Sequence, residues 1–179
     1  FHEESKYKKG IKKSEIKSRF FSKIKQPVFD AVIQMMSEKN ELKVDGEYIS
    51  LPYFEIKRDD YFISAESKIL KVLNEAKYDF IKPDDLKSTI FKNISSEDVI
   101  TVLLDEKKII KLNEECITSQ EIYNNAKKLA VEYIKSNGKI TAAEYRDILN
   151  TNRKNAILLL EYFDLARITK RNGNDRVLF

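Results

Sequence analysis

Lys139–Phe179 reads KITAAEYRDILNTNRKNAILLLEYFDLARITKRNGNDRVLF, and the order of signals in it decides the fold. Thr141 and Glu144 make a T-x-x-E capping box that predicts a short helix over 142–149. Thr151 or Asn152 then opens a second helix whose apolar residues Ala156, Leu159, Leu160 and Phe163 share one face. Two short strands follow around Asn172-Gly173-Asn174, residue types that tolerate the positive φ of tight hairpins. Helix, helix, hairpin is the layout of a winged helix, a variant of the helix-turn-helix. The second helix starts on Arg153-Lys154, and Lys170, Arg171 and Arg176 flank the hairpin turn. Five of the chain's seven arginines fall here, Arg146, Arg153, Arg167, Arg171 and Arg176, with Arg19 and Arg58 elsewhere. The planar guanidinium fork grips phosphate and guanine edges as a lysine point charge cannot, so the binding end is expected at the C-terminus.

Working outward, the same pattern occurs twice more, in MMSEKNELKVDGEYISL (Met35–Leu51) and LLDEKKIIKLNEECITS (Leu103–Ser119). Their turns are Asp45-Gly46 and Asn113-Glu114-Glu115, and alternation shows as Leu42/Val44 then Tyr48, and Ile110/Leu112 then Cys116. The helix before the first hairpin is expected to begin near Pro27 and to bury Val28, Val32 and Met35. The one before the second starts with Ser95 or Ser96 as cap and buries Val99, Val102 and Leu103. Shorter helices precede them, with Ser14 capping 15–20 and Pro83 opening 84–90, and leading helices are expected over 65–76 and 120–137. Thr141 to Phe179 and Lys13 to Leu51 both span 38 positions, so the leading helix of the first repeat should lie largely before Phe1. Phe1-His2 is then the stub of that helix. Linkers fall at 52–60 and at Thr118-Ser119, the second too short for free rotation. The fold expected is mostly α with small β-hairpins, an α+β chain of three tandem winged helices in an extended arm. The modules are 1–58 with its first helix truncated, 59–118 as an acidic spacer, and 119–179 as the binding module.

Composition narrows function more than fold. The chain has 179 residues, 42% hydrophobic and 35% charged, with a net charge of +4. Basic side chains outnumber acidic ones 13 to 9 over 1–58 and 11 to 7 over 119–179, whereas acidic ones lead 13 to 9 over 59–118. The middle third is therefore poorly suited to a polyanion. One cysteine, Cys116, excludes an intrachain disulfide and fits a reducing compartment. No apolar run approaches a membrane span and no signal peptide opens the chain, so a soluble, cytoplasmic protein is expected. A start at Phe1 rather than Met points to a fragment or a processed product.

Catalysis has little to stand on. There is one His, one Cys, no GxSxG, no GxxxxGK phosphate loop, no His/Cys metal spacing, and four glycines in all. No enzyme activity, cofactor or metal is expected. His2 has no expected chemistry, and Cys116 is expected as a small buried hydrophobe on an inward strand position. Arg153 and Lys154 oppose the dipole at a helix N-terminus, a local cost that a bound phosphate would explain. For the wing the alternative is a solvated charged hairpin in which Arg167 and Arg176 pair with Asp164 or Asp175. The lysine run Lys6, Lys8, Lys9, Lys12, Lys13 and Lys17 reads first as a solvated face and second as a weak, salt-sensitive contact with nucleic acid.

Ile140–Leu178, with Y-R-D-x-L, R-K-x-A-x-x-L-L-E-Y-F-D and T-K-R-x-G-N-D-R, resembles the last winged helix of the bacterial selenocysteine-specific elongation factors, the SelB family. The opening FHEESKYKKGIKKSEIKSRF resembles the start of the second winged helix of that family. The resemblance implies domains two to four of a four-module C-terminal arm, with the GTPase and the tRNA-binding part absent. It implies a partner mRNA hairpin, the selenocysteine insertion element, held by the last module, and the ribosome as partner in the full-length protein. A monomer is expected. Carried over by motif, the contacts would be Arg153 and Lys154 together with Lys170, Arg171, Gly173 and Arg176, with Asn152 and Asn172 beside them. The sequence departs from the family at Leu165, where arginine is expected, at Asn152, often serine, and at Lys170, which replaces arginine. The rival readings are a DNA-binding winged-helix transcription regulator and a protein-interaction module. The A-form major groove is too deep and narrow for a helix, so cations at one helix start and a turn suit the tip of an RNA hairpin. Leu158, Glu161 and Tyr162 supply no basic stripe for a DNA groove.

Overall fold

A computed structural model describes residues 1–3, 5–90 and 96–179. Two compact units result, Phe1–Tyr61 and Phe62–Phe179. The first unit runs β1 (Ile11–Lys12), α1 (Lys13–Phe20), α2 (Gln26–Glu38), β2 (Lys43–Asp45) and β3 (Tyr48–Ser50). Its sheet order is β1-β3-β2, antiparallel throughout, and both Ile11 and Val44 sit opposite Ile49. The β2–β3 turn rests on Gly46 at φ +60, a conformation that favours glycine. Gly10 is required for another reason: a Cβ there would come within 2.4 Å of the Ile49 carbonyl oxygen. Before β1 the described residues form turns rather than the helix stub expected at Phe1-His2, with Ser5 N–H donating to the Phe1 carbonyl and Lys8 N–H to that of Ser5.

Three expectations for this unit fail. α2 does not bury Val28, Val32 and Met35, which are 53%, 36% and 47% exposed; it buries Phe29 and Ile33 one position along. The segment QPVFDAVIQMM carries two adjacent apolar stripes about 100° apart on a helix, and the bulkier Phe29 and Ile33 take the sheet side. Ser14 does not cap α1 either; the N-cap is Lys12 with no side-chain hydrogen bond, and Ser14 lies inside the first turn. On β3 the buried residue is Ile49 rather than Tyr48.

The second unit continues with α3 (Asp60–Ala76, whose first two residues count with the first unit), α4 (Pro83–Ile90), α5 (Ser96–Asp105), β4 (Ile109–Lys111) and β5 (Ile117–Ser119). A cap at Ser95 lies outside the described residues, but Val99, Val102 and Leu103 are buried as expected. On β4 Ile109 takes the innermost position, with Ile110 half-buried. The turn after β4 is locked by Glu115 N–H donating to the Asn113 side chain at 2.9 Å, and Cys116 is buried and unpaired. β5 runs straight into α6 (Gln120–Asn137), whose N-cap Ser119 accepts from Ile122 N–H. The linker expected at Thr118-Ser119 is therefore strand end and helix cap.

The chain closes with β6 (Ile140–Thr141), α7 (Ala142–Leu149), α8 (Arg153–Leu165), β7 (Thr169–Asn172) and β8 (Asp175–Leu178), in sheet order β6-β8-β7. β1 and β6, two residues each, are strands that the hydrophobic pattern does not show. The middle run has a reduced counterpart in the bridge Ile81–Ile117. Tyr123, Ala126, Ala130 and Ile134 of α6 pack on Tyr145, Leu149, Leu159, Leu160 and Phe163, all 9% exposed or less. Tyr123 meets Phe163 edge-on at 5.8 Å, and the buried Tyr145 hydroxyl donates to the Ala126 carbonyl at 2.8 Å. These helix–helix–hairpin units are winged helices, as the sequence predicts.

Candidate nucleic-acid interface

The capping box forms as read: Thr141 Oγ1 accepts from Glu144 N–H, and the Glu144 carboxylate accepts from Thr141 N–H at 2.7 Å. The Thr141 hydroxyl also donates to that carboxylate at 2.7 Å, and this bond first, then the one from the Thr141 N–H, holds the Glu144 carboxyl below its ordinary value. The box fixes α7, and α7 packs on α8. α8 is capped by Asn152, whose side chain accepts from Asn155 N–H at 2.9 Å. Asn152 is thus occupied as a cap, though exposed.

Arg153 and Lys154, the first two residues of α8, are both exposed, and neither has an ion pair among the described residues. Next to them Asn155 turns inward, and its side-chain amide donates to the Tyr78 carbonyl at 2.7 Å; Thr151 Oγ1 donates to the same carbonyl at 3.2 Å. This pair of bonds sets the helix start against the preceding run. An open groove of about 480 Å³ lies alongside, lined by Asn113, Arg153, Lys154, Ile157, Leu158 and Glu161. Cys116 is near enough for Lys154 to act on it, but burial dominates and pushes the thiol up.

On the wing, Lys170, Arg171, Asn172, Gly173 and Asn174 are exposed, and Gly173 takes φ +64. Arg171 sits opposite Arg176 in the ladder, and its Nε–H donates to the Gly173 carbonyl at 3.0 Å, across its own turn. Lys139 reaches Asp175 at 2.8 Å, and that hydrogen bond raises its pKa.

Arg176 does not join the exposed set. It is 7% exposed, and its Nε–H donates to Asp164 Oδ2 at 3.1 Å while Thr169 Oγ1 donates to Oδ1 at 2.6 Å. In β8 the inward positions alternate, and this register turns Arg176 toward the end of α8. A carboxylate in the last turn of a helix opposes the dipole. Asp164 was thus the signal in the sequence for a buried cationic partner. Arg167, at φ +54 and exposed, takes neither suggested carboxylate; its guanidinium lies 5.9 Å from the Phe179 ring centre. Leu165, where the family pattern leads one to expect arginine, is 83% exposed. Asn155 and its bond to Tyr78 were missed because nothing local marks a buried amide on a helix.

In the first unit, Lys6 pairs with Asp59 and Lys9 with Asp45, at 2.6 and 2.7 Å. Tyr7, buried, donates its hydroxyl to the other Asp59 oxygen at 2.6 Å. Part of the N-terminal lysine run is therefore engaged within its own unit. His2 stacks on Phe54 with ring centres 3.5 Å apart.

Residues 1–51 and 132–178 match two family models, each described as elongation factor SelB, winged helix; the first is numbered the second such module and the other the third. Among curated proteins, the chain is 21% identical over 182 aligned positions to a selenocysteine-specific elongation factor of Desulfomicrobium baculatum, covering 98% of the chain and 28% of that protein. It is 51% identical over 41 residues to the factor of the same name in Escherichia coli strain K12, 23% of the chain and 7% of the relative. The chain thus spans about a quarter of the length of the first of these relatives. A crystal structure of bacterial selenocysteine-specific elongation factor EF-Sec superposes on 95% of the chain and 26% of its own, with TM-score 0.57 and 20% identity, a likeness of fold. The mRNA-binding domain of E. coli SelB in complex with SECIS RNA covers 63% of the chain and 97% of its own at 23% identity, with a TM-score of 0.49 that carries no further weight.

Proposed function

The chain belongs to the SelB elongation-factor family, and from that premise we propose that its last winged helix grips the tip of an mRNA hairpin of the selenocysteine insertion class. The observation that carries this is the set Arg153, Lys154, Lys170 and Arg171, four exposed cations without a carboxylate partner among the described residues. Two stand on the first turn of α8, where free backbone N–H groups add to the pull on a phosphate. The other two stand beside the wing turn, with Asn172 and Gly173 at its tip. Arg176 is left out of the contact set, since its guanidinium already serves Asp164. In this reading the family's GTP chemistry and tRNA binding lie outside these residues, and the chain works without cofactor or catalysis, as a monomer, in the cytoplasm, on the ribosome. Among the described residues no helix is long and apolar enough to cross a membrane.

Filter binding with a cognate hairpin RNA tests the site. Arg153→Ala should lose about 1–3 kcal/mol of binding free energy, the range of a bidentate contact. Unchanged affinity would remove Arg153 from the interface. Equal affinity for duplex DNA at matched salt would replace the RNA reading with a DNA one, and affinity independent of salt would exclude phosphate contact altogether.

A further inference from the structure

We infer that Glu115 and Glu161, carboxylates beside the cations of α8, decide which RNA the site accepts by repelling phosphates that run on past a hairpin tip. The inference rests on the RNA reading above and adds to it the element that turns away a wrong partner. The open groove of about 480 Å³ has Asn113, from the turn of the middle hairpin, on one bank and Arg153, Lys154, Ile157, Leu158 and Glu161 of α8 on the other. Its cations stand at one end only. Glu161 lies seven residues after Lys154, two turns or about 11 Å farther along α8. Glu115 is held at the opposite bank, its N–H donating to the Asn113 side chain at 2.9 Å. The Cys116 thiol beneath the turn is governed by burial, and of the charges near it Lys154 acts most, Glu115 next and Lys82 least. A carboxylate of the middle run and an ammonium of the last winged helix thus share one small space.

Glu115 and Glu161 are both exposed, and neither carboxylate has an ion pair among the described residues. Glu114 differs, because Lys111 reaches its carboxylate at 2.5 Å and offsets its charge. Between the cations and Glu161 the lining is Ile157 and Leu158, which offer a phosphate nothing. The tip of a hairpin presents a short turn of backbone that the start of α8 and the wing can take together. A duplex laid along α8 spreads phosphates evenly over its length, and those beyond the first turn fall beside Glu161 and Glu115. At about 0.1 M salt like charges still repel over roughly 10 Å. Specificity is a difference between two affinities, so repelling the competitor counts as much as gripping the ligand.

The test is filter binding of the full chain to a cognate hairpin RNA and to a blunt duplex RNA of the same stem sequence. Glu115→Gln combined with Glu161→Gln should raise affinity for the duplex about threefold and leave the hairpin within about twofold. Glu115→Lys alone should raise duplex binding about tenfold, and both gains should shrink as salt rises. Glu114→Gln, whose carboxylate is already paired, should leave the hairpin-to-duplex ratio as it is. All three side chains are exposed, so urea unfolding should not move and a change in the ratio reports on recognition. An unchanged ratio in both the double variant and Glu115→Lys would overturn the inference. So would a gain that ignores salt, or a loss of hairpin affinity as large as the gain for the duplex. A wild-type chain with no preference for the hairpin would remove the RNA reading and this inference with it. A wild-type preference that persists undiminished in the variants would remove the inference alone.

Discussion

The first unit and the last winged helix share one grammar and differ in one layer. Both set a two-residue strand, an 8-residue helix, a 13-residue helix and a tight hairpin around a three-stranded sheet. α8 buries five of its residues, whereas α2 buries two. Among the described residues α6 precedes β6 in the last winged helix, and no helix precedes β1 in the first unit. The sheet and hairpin alone settle the register of the two helices; a third helix is needed to seal them. Cations on a sealed helix keep fixed positions, which the proposed RNA contact would use.

The largest way to break this comparison is Phe163→Ala, which should lower the stability of the second unit by about 3–5 kcal/mol in urea unfolding. The aligned Met36→Ala should cost about 1 kcal/mol or less, since its side chain is already half in water. Equal losses would mean that the first unit is sealed in some other way. Next comes Asp164→Ala, which strands the Arg176 guanidinium and the Thr169 hydroxyl and should cost about 2–3 kcal/mol. The aligned Ser37→Ala, with no such latch, should stay within about 0.5 kcal/mol.

The smallest contrast is at the helix starts. Thr141→Ala should cost about 1 kcal/mol, while Lys12→Ala at the uncapped start of α1 should cost only a few tenths. The pH dependence sharpens it. Glu144 is held below its ordinary value in the fold, so its contribution is complete above the unfolded value and is lost as pH falls through the folded one. Glu144→Gln should therefore flatten the acid side of the stability curve of the second unit. An unchanged acid limb would show that the box is not the group being titrated.

How much was legible follows from where each signal sits. α6 reads correctly to the residue because both ends are chemically marked, Ser119 as a cap and Gly138 in the left-handed region at φ +80. α8 buries the face read from the sequence, Ala156, Leu159, Leu160 and Phe163, although Ile157, Leu158, Tyr162 and Leu165 make its other side apolar as well. α2 does not, because two neighbouring stripes are equally apolar and only the sheet chooses between them. For the site, local signals place Arg153 and Lys154 at a helix start, but a charge count cannot separate an outward arginine from an inward one. Arg171 and Arg176 face each other across one ladder, and the carboxylate of Asp164, 12 positions before Arg176, decides which is buried.

The bond from Asn155 to Tyr78 has a consequence for how the second unit is joined. α8 is tied at its first turn to the run before it, and β5 passes into α6 with no residues between them. The last winged helix is therefore held to the run before it at two separate places, the Tyr78 carbonyl and the β5–α6 junction, and loosening either one alone leaves the other in place.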